Sequence, residues 1–347
     1  MKHPFLAISA GLFSGILVLA SLSGASIAVA YLTLVLPLPM LMAGLGLGTR
    51  GASIAVSSGL ILTALANPVS GLAFAMMFGL PVWLIVRLAL TGPNGPVIQA
   101  PEHAGPYTQE GVQTQSTFQD RILGRAADWE GEIGQPQRDA GWFPAGHITA
   151  VITVLAGCYL IAGAFMASGD GGLQQVITVY LTQVADVIAG AQGQEVLRDA
   201  IMLVVPYFPG SVAAFWVLSL LINAIIAQSL LAKGGRNLRP SPRLRELLLP
   251  DWLSWALVLA ALIALISSGE IEYIGRNLTL TLAVPFFFLG LSVVHKLAAQ
   301  TPLPGALLAL IYMVTIFSGW FALIIAGLGV IEQWVGLKDR MDKPTNV

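Results

Sequence analysis

The chain has 347 residues, of which 56% are hydrophobic and 10% charged, and its mean hydropathy is +0.79. Soluble domains carry about 25% charged residues, so a water-soluble enzyme is excluded at the start. A net charge of −1 gives no overall bias toward nucleic acid, and a single cysteine, Cys158, rules out an intrachain disulfide and any Cys-rich metal site.

The few charges are bunched. Seven stretches, together 217 residues, contain no Asp, Glu, Lys or Arg: 4–49, 51–86, 140–169, 200–232, 252–269, 277–295 and 297–331. A helix needs about 20 apolar residues to cross a bilayer, so the pattern predicts an all-α, polytopic helical membrane protein with eight or nine transmembrane helices. Lys2 ahead of the apolar run Phe5–Leu22 has the outline of a signal peptide, but the chain stays uncharged to Arg50, so the first helix is expected to remain as a signal anchor.

In chain order, the first stretch splits at Ser23-Gly24-Ala25 into spans over about 5–22 and 26–48, the second kinked or broken at Pro37 and Pro39. The turn pair Asn67-Pro68 divides 51–86 into two short spans. These four form an N-terminal membrane half, 1–91. Residues 92–146 are rich in Pro, Gly and Gln and read as a disordered cytoplasmic linker. Phe118, Ile122, Trp129 and Ile133 share one helical face within it, the pattern of a short interfacial helix.

The C-terminal membrane half, 147–331, holds spans over about 146–168, 209–232, 252–268, 277–299 and 305–328. Between the first two lies 172–205. There Leu173, Val176, Ile177, Tyr180, Leu181 and Val184 keep the helical period while Gln174, Gln175, Thr178 and Gln183 fill the other positions. This predicts an amphipathic hairpin lying against the membrane or over the bundle. Residues 332–347 read as a polar tail.

With the N-terminus inside, nine crossings place twelve of the 17 basic residues on the cytoplasmic side. Three of the remaining five, Lys338, Arg340 and Lys343, are in the tail; an even number of crossings would bring them inside as well. Orientation is therefore N-inside, with eight against nine spans left open.

Little resembles catalysis. The four histidines show no metal-ligand spacing, and HExxH, GxSxG and phosphate-loop patterns are lacking. No carboxylate lies deep in a predicted span, and no convergent acid–base set exists, so neither an enzyme nor a cofactor or metal is expected. The handles are polar residues in spans. Trp216, Ser219 and Asn223 fall on one face of the sixth span and suggest either a wall of a substrate cavity or an interhelical bond. Asn67 and Asn277, near predicted outer ends, could line an outward-facing pocket or serve as caps. Ala7, Gly11 and Gly15 form a small-residue strip for helix docking, inside the chain or onto a partner; Gly71, Ala75 and Gly79 form another. Lys233, Arg236, Arg239, Arg243 and Arg245 make a basic loop suited to topology, anionic lipid or a cytoplasmic partner.

Leu36-Pro37-Leu38-Pro39 with Gly48-Thr49-Arg50-Gly51, Leu249-Pro250-Asp251-Trp252, Asn277 with Phe288-Leu289-Gly290-Leu291-Ser292, and Leu328-Gly329-Val330-Ile331-Glu332 leading to Arg340 occur in that order. In these the chain resembles the YybS-like bacterial membrane proteins (domain of unknown function 2232), apart from the insertion at 92–146. That resemblance implies a multi-pass protein of the bacterial inner (cytoplasmic) membrane and carries over no catalytic or binding residues. By looser analogy of fold, the N-terminal half is similar to the substrate-capture subunits of energy-coupling-factor transporters, in which Ala7, Gly11 and Gly15 would dock a membrane coupling subunit. It is also similar to MreD-type cell-shape scaffolds, which would imply envelope-assembly partners.

Overall fold

The structure, a computed structural model, describes residues 4–22, 33–92, 95–96, 141–188 and 190–341. The N-terminal split at 23–25, the face carried by Phe118, Ile122, Trp129 and Ile133, and Lys343 lie outside the described residues. Nearly everything described is helix. Two compact units form, one from residues 1–143 with 225–241, the other from 144–224 with 242–347.

The first unit holds α1 (Pro4–Leu22), α2 (Pro37–Leu47), α3 (Thr49–Ala66) and α4 (Pro68–Ala89). Of the kink or break expected at Pro37 and Pro39, the described residues show a break: a 3₁₀ turn at Thr33–Val35 precedes it, and the two prolines open α2, where a missing N–H removes no intrahelical bond. Gly48, at φ 88°, separates α2 from α3 in a conformation closed to other residues. Asn67 is extended and caps α4, its Oδ1 accepting from Val69 N at 2.9 Å. A π-helical turn, Ala75–Gly79, lies within α4. After α4 come two short antiparallel strands, Thr91–Gly92 and Gly95–Pro96, inside the region expected to be an unstructured linker. Its far end is tied back: Phe143 N donates to Thr91 O at 2.9 Å, and the Trp142 ring covers Gly92.

The second unit comprises α5 (Ala145–Met166), the paired helices α6 (Leu173–Ile188) and α7 (Gly190–Val204), α8 (Phe208–Lys233), α9 (Trp252–Ile266), α10 (Gly269–Ala298), α11 (Pro304–Phe317), α12 (Gly319–Val335) and α13 (Leu337–Met341). The last part of α8 belongs to the first unit. The centre is α10, against which α5, α9 and α12 all pack. Its residues Leu282, Phe286 and Leu289 form the core with Ala150, Leu253 and Ala260.

Backbones approach closely along α10. A Cβ on Gly329 would stand 2.7 Å from the Phe286 carbonyl carbon, and one on Gly290 2.8 Å from that of Ile325. Only glycine permits this crossing. Helix α10 also supplies caps to its neighbours. Glu270 accepts from the N–H of Leu173 at 2.6 Å and of Gln174 at 3.4 Å, closing the start of α6. Tyr273 Oη donates to Val205 O at 2.9 Å, at the end of the α6–α7 pair.

Among the described residues, six helices are long and apolar enough to cross a membrane: α1, α3, α4, α5, α10, and α8 taken from Leu197. The ninth predicted span is not one straight helix. At Ser318 the chain bends by 120° between α11 and α12; counting that pair as one span gives seven. The apolar helices α2 and α9 are shorter, with 11 and 15 residues.

Both ends of the second unit can be followed through contacts. Lys296 Nζ, at the end of α10, donates to Lys338 O at 2.7 Å. Lys338 Nζ donates to Leu247 O at 2.7 Å, and Gln333 to Asp251 Oδ1 at 3.1 Å. A Cβ on Gly146 would meet Leu248 carbonyl carbon at 2.8 Å. The start of α5, the start of α9, the end of α10 and the end of α12 therefore share one end of the unit. The opposite end carries α6, α7 and the start of α10.

Candidate functional site

On α8, Trp216, Ser219 and Asn223 share one face, because residues three and four apart on a helix are neighbours. Asn223 is buried, and its Nδ2 donates to Ser219 O at 2.7 Å and reaches Ser219 Oγ at 3.4 Å. The Trp216 ring lies 5.7 Å from that of Tyr159 on α5, tilted by 52°. The stripe thus faces α5, and the nitrogen of the Asn223 amide bonds within its own helix.

The other two amides do not join it. Asn67 is exposed, capping α4 in the first unit. Asn277 is not at a helix end, as the sequence placed it, because α10 begins two turns earlier at Gly269. It is fully buried: Oδ1 accepts from Gly210 N at 2.7 Å, and Nδ2 donates to Tyr273 O at 2.8 Å and Pro206 O at 3.1 Å. Asn277 is the cap of α8, supplied by another helix. The residues sequence reasoning missed here are Glu270 and Tyr273, which with Asn277 lie at i, i+3 and i+7 on α10. Their spacing is visible in the sequence; their acceptors and donors, 68 to 97 residues away, are not.

The small-residue strip is taken up inside the first unit. Ala7, Gly11 and Gly15 are buried against α3, and a Cβ on Gly11 would meet the Ala55 carbonyl carbon at 2.7 Å. A coupling subunit would have to dock elsewhere. Of the five basic loop residues, Lys233, Arg236, Arg243 and Arg245 are exposed, Arg243 pairing with Glu246 at 3.3 Å. Arg239 departs from the exposed loop the sequence suggested. It is buried, with Nη1 donating to Ala89 O at 3.2 Å and its guanidinium 5.9 Å from the Trp142 ring centre, so it fastens the end of α4 and cannot hold a lipid headgroup.

Two further features lie around α12. An apolar cavity of about 420 Å³ opens between Val294 of α10, Ile311 of α11 and the stretch of α12 from Phe321 to Ile331. Beyond its inner end sits a buried ion pair. Glu332 and Lys338 approach to 3.7 Å, and Glu332 Oε2 also accepts from Lys338 N at 3.0 Å. The sequence placed both in a polar tail. Burial holds the Lys338 ammonium below its usual pKa, with Glu332 opposing that shift. Among the described residues, no three His, Cys, Asp or Glu side chains gather as metal ligands would.

Helices of this length and apolarity, with polar groups bonded inside the bundle, define a multi-pass helical membrane protein. A family model described as "Predicted membrane protein (DUF2232)" matches residues 142–332, more than half of the chain. The chain belongs to that family, and the matched region is nearly all of the second unit. No curated protein and no solved structure matches it.

Proposed function

We propose that the chain is a non-catalytic transport component of the bacterial cytoplasmic membrane that binds a small, weakly polar molecule. The observation that carries this reading is the 120° break between α11 and α12. A helix interrupted within the apolar layer leaves backbone groups that lipid cannot satisfy, and such breaks are tolerated where they line a cavity or are buried in protein. The stripe Trp216, Ser219 and Asn223 is the candidate polar wall; an aromatic face with one amide suits a weakly polar ligand.

The same break bears on topology. Lys296 and Lys338 are in contact, so α11 and α12 together enter and leave on one side. With α2 and α9 as short spans, eight helices cross and α11–α12 is re-entrant. N-inside orientation then leaves only Arg198 and Arg276 outside among the 17 basic residues. Each of these two is paired with a carboxylate, Arg198 with Asp186 and Arg276 with Glu272.

The test uses single cysteines in a Cys158→Ser chain. Ser318→Cys should react with a membrane-impermeant maleimide in water if the break lines a pathway, and protection in both intact and permeabilised cells would refute the transport reading. Asp339→Cys should react only after permeabilisation; labelling from outside would refute the even count. A second reading, a scaffold for envelope or cell-shape assembly, is favoured by the amides of Asn67 and Asn277 being committed to helix caps. Co-purification in mild detergent separates the two: an ATPase-coupled membrane subunit supports transport, and cell-wall synthesis proteins support the scaffold.

A further inference from the structure

The first unit is one-sided in charge. Residues 33–96 and 225–241 contain no Asp or Glu, yet they carry Arg50, Arg87, Lys233, Arg236 and Arg239. Contacts gather all five at one end. A Cβ on Gly44 would meet Val86 Cγ2 at 2.5 Å, and one on Gly46 would stand 2.9 Å from Leu231 Cδ2 and 3.9 Å from Arg236 O. Arg239 Nη1 donates to Ala89 O at 3.2 Å. The end of α2, the start of α3, the end of α4 and the end of α8 therefore meet there.

The loop after α8 is held in place. Arg236 N donates to Leu231 O at 2.9 Å, and Gln228 Nε2 and Asn237 Nδ2 donate to Arg239 O at 2.7 and 2.8 Å. Arg239 is engaged by Ala89 and Trp142. Arg50, Lys233 and Arg236 are exposed and Arg87 is half-buried. Among the described residues none of these four pairs with a carboxylate.

Matching charge is present in the same chain. Residues 97–140 hold seven carboxylates and three arginines, a net charge of −4 against the four cations. Both stems of that segment are fixed at this end: Gly95-Pro96 pairs with Thr91-Gly92 directly after α4, and Phe143 N donates to Thr91 O. Asp128, Glu130 and Glu132 make its densest acidic run, and Glu132 precedes Gly141 by nine residues. Nine residues reach up to about 30 Å, more than the roughly 20 Å across an end of helices packed about 8–10 Å apart.

We propose that 97–140 docks on this end of the first unit as its internal counter-ion, with the run Asp128–Glu132 against Lys233 and Arg236. Anionic lipid would suit the same cations. The matched charge and the two stems at the patch favour the segment, because a tethered ligand acts at high effective concentration. The docking holds whether the chain is a transporter or a scaffold.

Lys233 supplies the probe, since a water-soluble carbodiimide joins its Nζ to a carboxylate in contact with it. The full chain in neutral detergent is mixed with isotope-labelled chain, so that links within and between molecules separate by mass. A link within one chain from Lys233 to Asp128, Glu130 or Glu132 is expected at about 0.1 M salt. It should fall about ten-fold at about 1 M, where the Debye length shrinks from about 10 to about 3 Å. Arg50→Gln combined with Arg236→Gln leaves Lys233 and every carboxylate in place, and should reduce the link about five-fold at an unchanged melting point. No link to the segment, links between molecules only, or a yield indifferent to salt or to the double variant overturns the proposal. Nanodiscs separate the segment from lipid: a link as strong in phosphatidylglycerol as in phosphatidylcholine supports the docking, and its loss in phosphatidylglycerol overturns it.

Discussion

Two glycines on α12, two residues apart, should respond to alanine in opposite ways. At Gly329 the new methyl would stand 2.7 Å from the Phe286 carbonyl carbon and 2.8 Å from Gly290 N. Optimal carbon contacts lie at about 3.5–4.0 Å, so α12 must move off α10 by roughly 1 Å, and a gap of that size forfeits up to about half of each dispersion contact. The obstacle is backbone, which has no rotamer to yield, so the cost lies at the top of the ~1–3 kcal/mol range for overpacking. Alanine returns about 1 kcal/mol in helix propensity, for a net loss of about 2 kcal/mol. At Gly327 the methyl enters open space, and only the gain of about 1 kcal/mol remains. Thermal unfolding in detergent, followed by circular dichroism, should show Gly329→Ala melting about 4 °C below the parent and Gly327→Ala about 2 °C above it, at about 2 °C per kcal/mol for a chain of this size. Melting points of the two variants within 1 °C of each other would refute the α10–α12 crossing.

Asn277→Ala should cost about 3 kcal/mol, since it leaves the buried Gly210 N–H without its acceptor and removes two further bonds; the loss is read from the melting point. Glu270→Gln weakens a charged acceptor at the start of α6, and amide exchange in residues 173–188 should rise several-fold while exchange in α10 stays unchanged. Lys338 titrates lower when folded than unfolded, so the unfolded chain binds more protons between the two values; stability should therefore rise with pH through the window just below 10.5. Lys338→Arg, which does not titrate there, should lack that rise, and identical pH profiles of the two melting points would contradict the burial argument. Replacing 97–140 with a short Gly-Ser linker should leave the melting point within about 2 °C, because the neck is already closed by Phe143 N to Thr91 O.

Helix positions were legible wherever a charge or a proline marks a boundary. Arg87, Asp251 and Lys296 each stand near a helix end, and Asn67-Pro68 divides α3 from α4 as a cap followed by a proline at the first helical position. The bend at Ser318 was not legible, because 297–331 has no charge and Ser318-Gly319 differs little from Gly327 or Gly329 in composition. Direction there is set by packing: Gly329 faces backbone and Gly327 faces nothing. Among candidate site residues, the helical period placed Trp216, Ser219 and Asn223 together. It could not show that Asn277 and Arg239 spend their polar groups on distant backbone, since those partners are fixed only by tertiary contact.

The caps provided by α10 impose an order on biogenesis. The start of α6 waits for Glu270, the end of the α6–α7 pair for Tyr273, and the first turn of α8 for Asn277. Gly146 waits for Leu248, and Leu247 for Lys338. In every case the earlier segment leaves the ribosome first and its partner follows by roughly 70 to 100 residues. During synthesis of the second unit, α6, α7 and α8 therefore keep open helix ends until α10 arrives. A ribosome stalled before α10 emerges would leave a chain inserted but unsealed, and open to membrane proteases.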